Sequence, residues 1–283
     1  MISEKRKFNK KKYKRIFKKG SKTYYYSSIF FSKKVKLDVM VLYSFVRIAD
    51  DFIDSIPQQK DDFFKFKELT YEALDGKEIS DYEYDFLIND FVELFNRKEF
   101  EKNWLDSFFN SMENDLEIVE MKTLKETEEY IYGSAEVVGL FMAKILDLDK
   151  ESYHYAKMLG KSMQYINFIR DFNEDIKLKR TYLPIDDAKQ FNLDNLSKST
   201  IFKNKEFFEM FIRKQVNLFF EWDKEARKGF KYIKKRDLIP IKTAQDAYYW
   251  TAKQIYKDPF IIFKKKVKPS KSKIIYFAIR NVF

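Results

Sequence analysis

Two short acidic segments hold the residues of this chain best suited to chemistry. Asp50 and Asp54 lie in Arg47-Ile48-Ala49-Asp50-Asp51-Phe52-Ile53-Asp54, and Asp171 and Asp175 lie in Asn167-Phe168-Ile169-Arg170-Asp171-Phe172-Asn173-Glu174-Asp175. Each contains Asp-x-x-x-Asp, and a four-residue step returns a helix to nearly the same face. The two carboxylates of each pair therefore project together, where like charges repel by roughly a few tenths of a kcal/mol. Helical steps back from Asp54 meet Asp50, Arg47 and Tyr43, and steps back from Asp175 meet Asp171, Asn167 and Gln164. Two such faces meeting across a cavity would hold Mg²⁺, which takes only one or two protein carboxylates and completes its shell with water and phosphate oxygens. The ligand this implies is a diphosphate. A single Asp-x-x-x-Asp is common on solvated helix faces, so from the residues alone a solvated acidic surface stays open beside the metal reading.

Composition narrows the chemistry by subtraction. There is no cysteine, which excludes disulfides, thiolate metal sites and cysteine nucleophiles. His154 is the only histidine, so no multi-histidine metal site is available and one triad candidate remains at most. A metal must be held mainly by oxygen, which favours a hard cation. His154 lies outside the acidic segments and reads as structural or exposed. The 30 Phe, 19 Tyr and 3 Trp serve core packing or an aromatic-lined apolar cavity.

The elements that must position these groups read as helices. Six glycines and five prolines leave few turn or strand signals in 283 residues, and 45% apolar content supplies a large core. The spacing predicts a buried helix from about Leu37 through Val46, and further helices over 61–75, 81–96, 101–120, 126–146, 151–177, 205–234 and 241–257. Thr127 and Ser152 read as helix starts, and Pro57, Pro184, Pro240 and Pro259 as breaks. No repeat or linker divides the chain. The expectation is one all-α domain over residues 20–283, preceded by a basic extension over residues 1–19.

The formal charge of +11 is concentrated at the two ends, in Lys5 to Lys19 and in Lys264 to Lys273. Such runs are solvated faces, or they meet nucleic acid, anionic lipid or diphosphate. No apolar core of a secretory signal follows the N-terminal charges, and no run reaches the roughly 18 apolar residues of a spanning helix. A cytoplasmic protein that rests peripherally on a membrane is expected.

Taken together, the segments resemble the squalene/phytoene synthase family, with the tail of its phytoene synthase branch. The first motif resembles Tyr43 to Asp54, and the second resembles Gln164 to Asp175 continuing into Arg180-Thr181-Tyr182-Leu183-Pro184. Tyr130-Ile131-Tyr132-Gly133-Ser134-Ala135-Glu136-Val137-Val138-Gly139 is similar to the family's cavity helix, with Glu136 where a third small residue is usual. Ser21-Lys22-Thr23-Tyr24 resembles the start, and Tyr248 to Ile255 with Asp258 to Ser270 resembles the tail, so the likeness covers residues 20–279.

The resemblance implies an isoprenoid-synthase helical fold around an apolar cavity with Mg²⁺, or Mn²⁺, at its mouth. It makes Asp50, Asp54, Asp171 and Asp175 the catalytic carboxylates and, with Asn167, the metal ligands. It assigns Lys22, Arg47, Arg180 and Tyr248 to diphosphate. Tyr130, Ala135, Val138 and Gly139 would line the prenyl cavity, with Tyr24, Tyr43 and Gln164 also facing substrate. Asp51 has no metal role in the pattern, and Asp115 sits at its edge. Aromatic walls, with Phe45, Phe168, Phe172 and Tyr130 as candidates, would keep carbocations dry and add cation–π attraction of roughly 0.5–2 kcal/mol each.

The reaction implied is head-to-head condensation of two geranylgeranyl diphosphates through a cyclopropyl diphosphate to phytoene, with NADPH not expected. The alternative is a farnesyl-using squalene or dehydrosqualene synthase. A nucleic-acid-binding helical protein accounts for the charge but leaves the two acidic stripes unexplained, so no nucleic acid partner is expected. A head-to-tail elongase or terpene cyclase carries a differently spaced motif, and an inactive scaffold would not need both intact pairs.

Overall fold

The computed structural model describes the backbone of residues 2–117 and 119–282, with side chains described there except for residues 2–8, Lys10, Lys22 and Thr23. Its helices, in chain order, are α1 (Ile2–Gly20), α2 (Lys22–Ser27), α3 (Lys33–Asp54), α4 (Lys60–Leu74), α5 (Asp85–Arg97), α6 (Lys102–Asn114), α7 (Leu124–Ile131), α8 (Val137–Ile145), α9 (Tyr153–Asp175), α10 (Ile185–Lys189), α11 (Lys198–Lys203), α12 (Lys205–Arg227), α13 (Lys235–Lys257), α14 (Ile261–Lys264) and α15 (Lys271–Val282). A π-helical turn, Tyr132–Glu136, joins α7 to α8. Two short strands, β1 (Val119–Glu120) and β2 (Arg180–Thr181), pair in parallel with Val119 opposite Arg180. The all-α expectation holds, and this two-residue ladder is the only sheet among the described residues.

Helix α3 shows why the first acidic segment sits where it does. Ser32 caps its start by accepting from the Val35 N–H at 3.3 Å, and the helix then buries Val39 to Leu42, Phe45, Ile48, Ala49, Phe52 and Ile53. It packs against α1, α4, α5 and α8, with Phe45 stacked on Phe91 at 3.6 Å between centroids. Helix α9 is the counterpart, packed against α8, α12 and α13. Gly139 and Gly160 allow this close approach. A Cβ on Gly139 would overlap the Ala156 carbonyl oxygen, and one on Gly160 would overlap the Ala135 carbonyl oxygen. The apolar side chains form two cores, one around α3 and one around α9, α12 and α13.

Several boundaries differ from expectation for local physical reasons. The cap at the start of α7 is Thr123, in a capping box with Glu126, rather than Thr127. Thr127 lies one turn inside, where its buried hydroxyl donates to the Tyr182 carbonyl at 2.9 Å. Pro240 does not break a helix but lies within α13, near its start and against the central cavity, where it forfeits one backbone hydrogen bond. The predicted 126–146 and 205–234 helices are each interrupted, by the π turn and by a 3₁₀ segment at Lys228–Tyr232. The segment read from its charge as an extension is helical, and α1 packs on α3 with Phe17 stacked on Tyr43, while its buried Tyr13 donates to the Phe86 carbonyl of α5.

Candidate active site

A cavity of about 960 Å³ opens between the two cores, and both acidic segments reach it at the ends of their helices. Asp50 and Asp54 line it from α3, and Asp171 and Asp175 from α9. Both pairs occupy the C-terminal end of a helix, and neither helix has a basic residue in its last turn. Backbone carbonyls already make that end negative, so each added carboxylate there is disfavoured by about 0.3–1 kcal/mol. The site concentrates negative charge where the helices themselves oppose it.

The side chains answer this unevenly. Arg47 donates to Asp50 at 2.7 Å and to Asp51, which gives Asp51 its place as the second partner of the guanidinium. Burial, then the neighbouring Asp54, still push Asp50 up to about 7. Its carboxylate faces the cavity, so solvent reaches 37% of the side chain even though protein surrounds it. Asp54 accepts from Arg180 at 2.8 Å. On α9, hydrogen bonding and charge from Arg170, together with Lys266 at 3.3 Å, outweigh burial and hold Asp171 below the usual carboxylate range. Among the described residues Asp175 has no comparable partner, and burial followed by the Asp171 charge pushes it up to about 8 against the Arg180 charge.

Behind the α3 pair lies a buried frame. Arg180 also donates to the carbonyls of Ile53 at 3.1 Å and Asp115 at 3.2 Å, so its guanidinium ties the end of α3 to the end of α6. The β1–β2 ladder fixes Arg180 in this position. Asp115 accepts from Tyr182 at 2.9 Å and from Tyr130, and burial raises it to about 6 against those donors and the Arg180 charge. Tyr130 thus has its ring toward the cavity and its hydroxyl anchored.

The remaining expected residues fall on the same cavity. Ala135, Val138, Gly139, Gln164, Asn167, Tyr24, Tyr43 and Tyr248 line it, and Tyr24 and Tyr248 lie 5.8 Å apart between ring centroids. The Lys22 side chain lies outside the described residues. Phe168 faces the cavity beside Tyr182, stacked at 4.3 Å, whereas Phe45 and Phe172 are buried in the cores and do not line it. Glu136 turns away from the cavity toward Lys161 at 3.8 Å, so this wall of the cavity keeps its small residues. The π turn carries this residue, and such turns locally change which side chains share a face. His154 is exposed beside Glu225.

Arg170, Lys266 and Lys268 also line the site, although the sequence reading left them outside it. Lys266 pairs with Glu174 and Asp171, while burial and then the charges of Arg170 and Lys266 lower Lys268 to about 8. Their run of lysines reads as a solvated tail because nothing local shows that residues some 90 positions apart meet.

The donor set suits a hard divalent cation that shares its shell with a ligand. Among the described residues no three His, Asp or Glu side chains gather closely enough to hold an ion alone. Two carboxylates nevertheless lack sufficient counter-charge, and the buried Asn167 Oδ1, which also lines the cavity, has no hydrogen-bond partner among the described residues. An oxygen acceptor left unpaired inside protein is costly, so it marks a place for a cation or donor.

Comparison with known proteins agrees with this geometry. The bifunctional lycopene cyclase/phytoene synthase of Gibberella fujikuroi is 27% identical over 208 residues, covering 63% of this chain and 36% of that protein. The 15-cis-phytoene synthase of Enterobacter agglomerans is 26% identical, covering 81% of this chain and 80% of the relative. The chain spans between 34 and 49% of the length of the bifunctional relatives. A ligand-bound dehydrosqualene synthase superposes with a TM-score of 0.83 over 98% of this chain and 96% of its own, at 21% identity, which establishes the shared fold. Residues 17–273, which include both acidic helix ends and every described cavity-lining residue assigned from sequence, match the squalene/phytoene synthase family, and the chain belongs to it.

Proposed function

We propose that the chain is a prenyltransferase that joins two geranylgeranyl diphosphates head-to-head through a cyclopropyl diphosphate to give phytoene. The observation that carries this reading is the pairing of two under-neutralised acidic helix ends with a cavity of about 960 Å³ whose lining includes Val138, Met142, Leu159 and Met163. The mouth suits diphosphate and the interior suits prenyl chains.

Asp50 and Asp54 on one side, and Asn167, Asp171 and Asp175 on the other, would hold Mg²⁺ or Mn²⁺, which when bound neutralises diphosphate and improves it as a leaving group. Arg47, Arg170, Lys266 and Lys268 add fixed positive charge where the departing diphosphate develops its own negative charge. The first substrate loses diphosphate to form an allylic cation, the double bond of the second attacks it, and loss of a proton from the resulting cation closes the ring of the cyclopropyl diphosphate. Loss of the second diphosphate, rearrangement and release of a proton complete the hydrocarbon without a reductant. Phe168, Tyr130, Met163 and Leu159 keep water from the cations, and the aromatic rings stabilise positive charge.

The product is insoluble in water, and we place the enzyme on the cytoplasmic side of an anionic membrane through its basic segments. No helix among the described residues is long and apolar enough to cross a membrane. The test is incubation with Mg²⁺ and geranylgeranyl or farnesyl diphosphate, with and without NADPH, and mass spectrometry of the hydrocarbon. A C40 product indifferent to NADPH is expected. A C30 product from the shorter substrate alone would move the assignment to the farnesyl-using alternative, and no hydrocarbon from either would sink the reading.

A further inference from the structure

Helix α15 carries a second, exposed apolar stripe beside its buried one, and among the described residues only the buried stripe is covered by protein. Ile274, Phe277 and Ala278 point inward and are buried, and α15 packs against α13 and α2. Ile275, Ile279 and Val282, at successive helical steps, point outward with 43, 53 and 38% of their surfaces exposed, and Tyr276 beside them is 59% exposed. A surface helix of a soluble domain is normally polar on its outer side, so three large apolar residues in register there call for an apolar neighbour.

The charge around the stripe identifies that neighbour. Residues 259–283 contain six lysines, one arginine and no acidic residue. Lys271 and Lys273 stand at the start of α15, with Lys271 4.9 Å above the Tyr26 ring and Lys273 5.4 Å above Trp250. The nearest acid, Asp246, is occupied by Arg280 at 2.7 Å and Asn281 at 2.8 Å. An apolar stripe edged by cations matches a helix lying in the headgroup layer of an anionic bilayer. The inner side of the same helix meets the reaction cavity, since Ile274 and Lys271 both line it.

We propose that the outer face of α15 is the membrane-docking surface, seated in an anionic bilayer so that the cavity wall it forms adjoins lipid. The location fits the proposed function, on which it rests for the identity of the cargo. A hydrocarbon leaving past Ile274 would enter lipid without crossing water.

The test is flotation of the full chain with vesicles of phosphatidylcholine alone or with about 30% phosphatidylserine added to make them anionic. Wild type, Ile275→Glu/Ile279→Glu and, as a control at another exposed apolar patch, Phe207→Glu/Met210→Glu are compared. Wild type should float with anionic vesicles only, the α15 variant should bind at least about tenfold less, and the control should match wild type. Lys271→Gln and Lys273→Gln should each weaken binding by roughly fivefold. Unchanged thermal unfolding of the α15 variant, and retained turnover of detergent-dispersed substrate, would separate docking from folding and chemistry. Vesicle binding that survives the α15 changes, or is lost equally in the control, overturns the proposal. Failure of all proteins to form hydrocarbon, with α15-dependent binding intact, would leave the docking surface standing and remove the catalytic reading.

Discussion

The two acidic helix ends have the same Asp-x-x-x-Asp spacing and carry their charge deficits differently. On α3, Arg47 is divided between Asp50 and Asp51, and Asp54 takes Arg180, so the first carboxylate of the pair remains under-neutralised. On α9, Arg170 and Lys266 satisfy the first carboxylate, Asp171, and leave the second, Asp175, with the deficit. Each end keeps one carboxylate partnered by protein and holds another in reserve. Identical spacing thus yields complementary sites because the cations come from different places: from one turn back in α3, from the adjacent residue in α9, and from strand and tail segments far away in sequence.

The largest effect should come from the reserved carboxylates. Asp50→Asn and Asp175→Asn should each lower turnover by about a thousandfold while circular dichroism stays native. Near-normal turnover in either variant would break the parallel between the ends. Next, Arg180→Leu should destabilise the fold by about 3 kcal/mol in urea denaturation, because Asp54 and two buried carbonyls lose their donor. A cost near zero would show that the frame behind α3 is not tied together by this residue. Gly160→Ala should cost about 2 kcal/mol, read as a melting-temperature drop, because α9 must move off the Ala135 carbonyl.

A last effect concerns pH. Folded Asp50 and Asp175 titrate near 7 and 8 against an ordinary 3.8, so the native state binds their protons more tightly than the unfolded state. Their contribution to stability is present below about pH 4 and is lost as pH rises through 7 and 8. Metal-free protein should therefore melt lower at pH 9 than the Asp50→Asn/Asp175→Asn double variant, relative to their difference at pH 5. An equal difference at both pH values would contradict the assigned deficits.

Much of this site is legible in the sequence because its key residues are local. Helical spacing places Asp50 with Asp54 and Asp171 with Asp175, and apolar patterning buries the helices that carry them. What escapes is whatever depends on distant segments meeting. Lys266 and Lys268 read as a solvated run until the fold brings them to α9. Phe45 and Phe172 share the motifs of cavity residues but point into the cores, because a motif fixes spacing and not which side of a helix faces the void. Thr127 has the same side chain as the true cap, Thr123, and only the reciprocal bond with Glu126 distinguishes them. Pro240 near the start of α13 shows that a proline need not end a helix, although it forfeits one backbone hydrogen bond there.

If the two helix ends form one cation-dependent diphosphate site, calorimetric titration of Mn²⁺ into the purified chain, with and without inorganic diphosphate, will show it. Weak Mn²⁺ binding alone is expected, strengthened at least about tenfold by diphosphate, with that strengthening lost in both Asp50→Asn and Asp175→Asn. Mn²⁺ binding that is indifferent to diphosphate, or that persists unchanged in either variant, would contradict it.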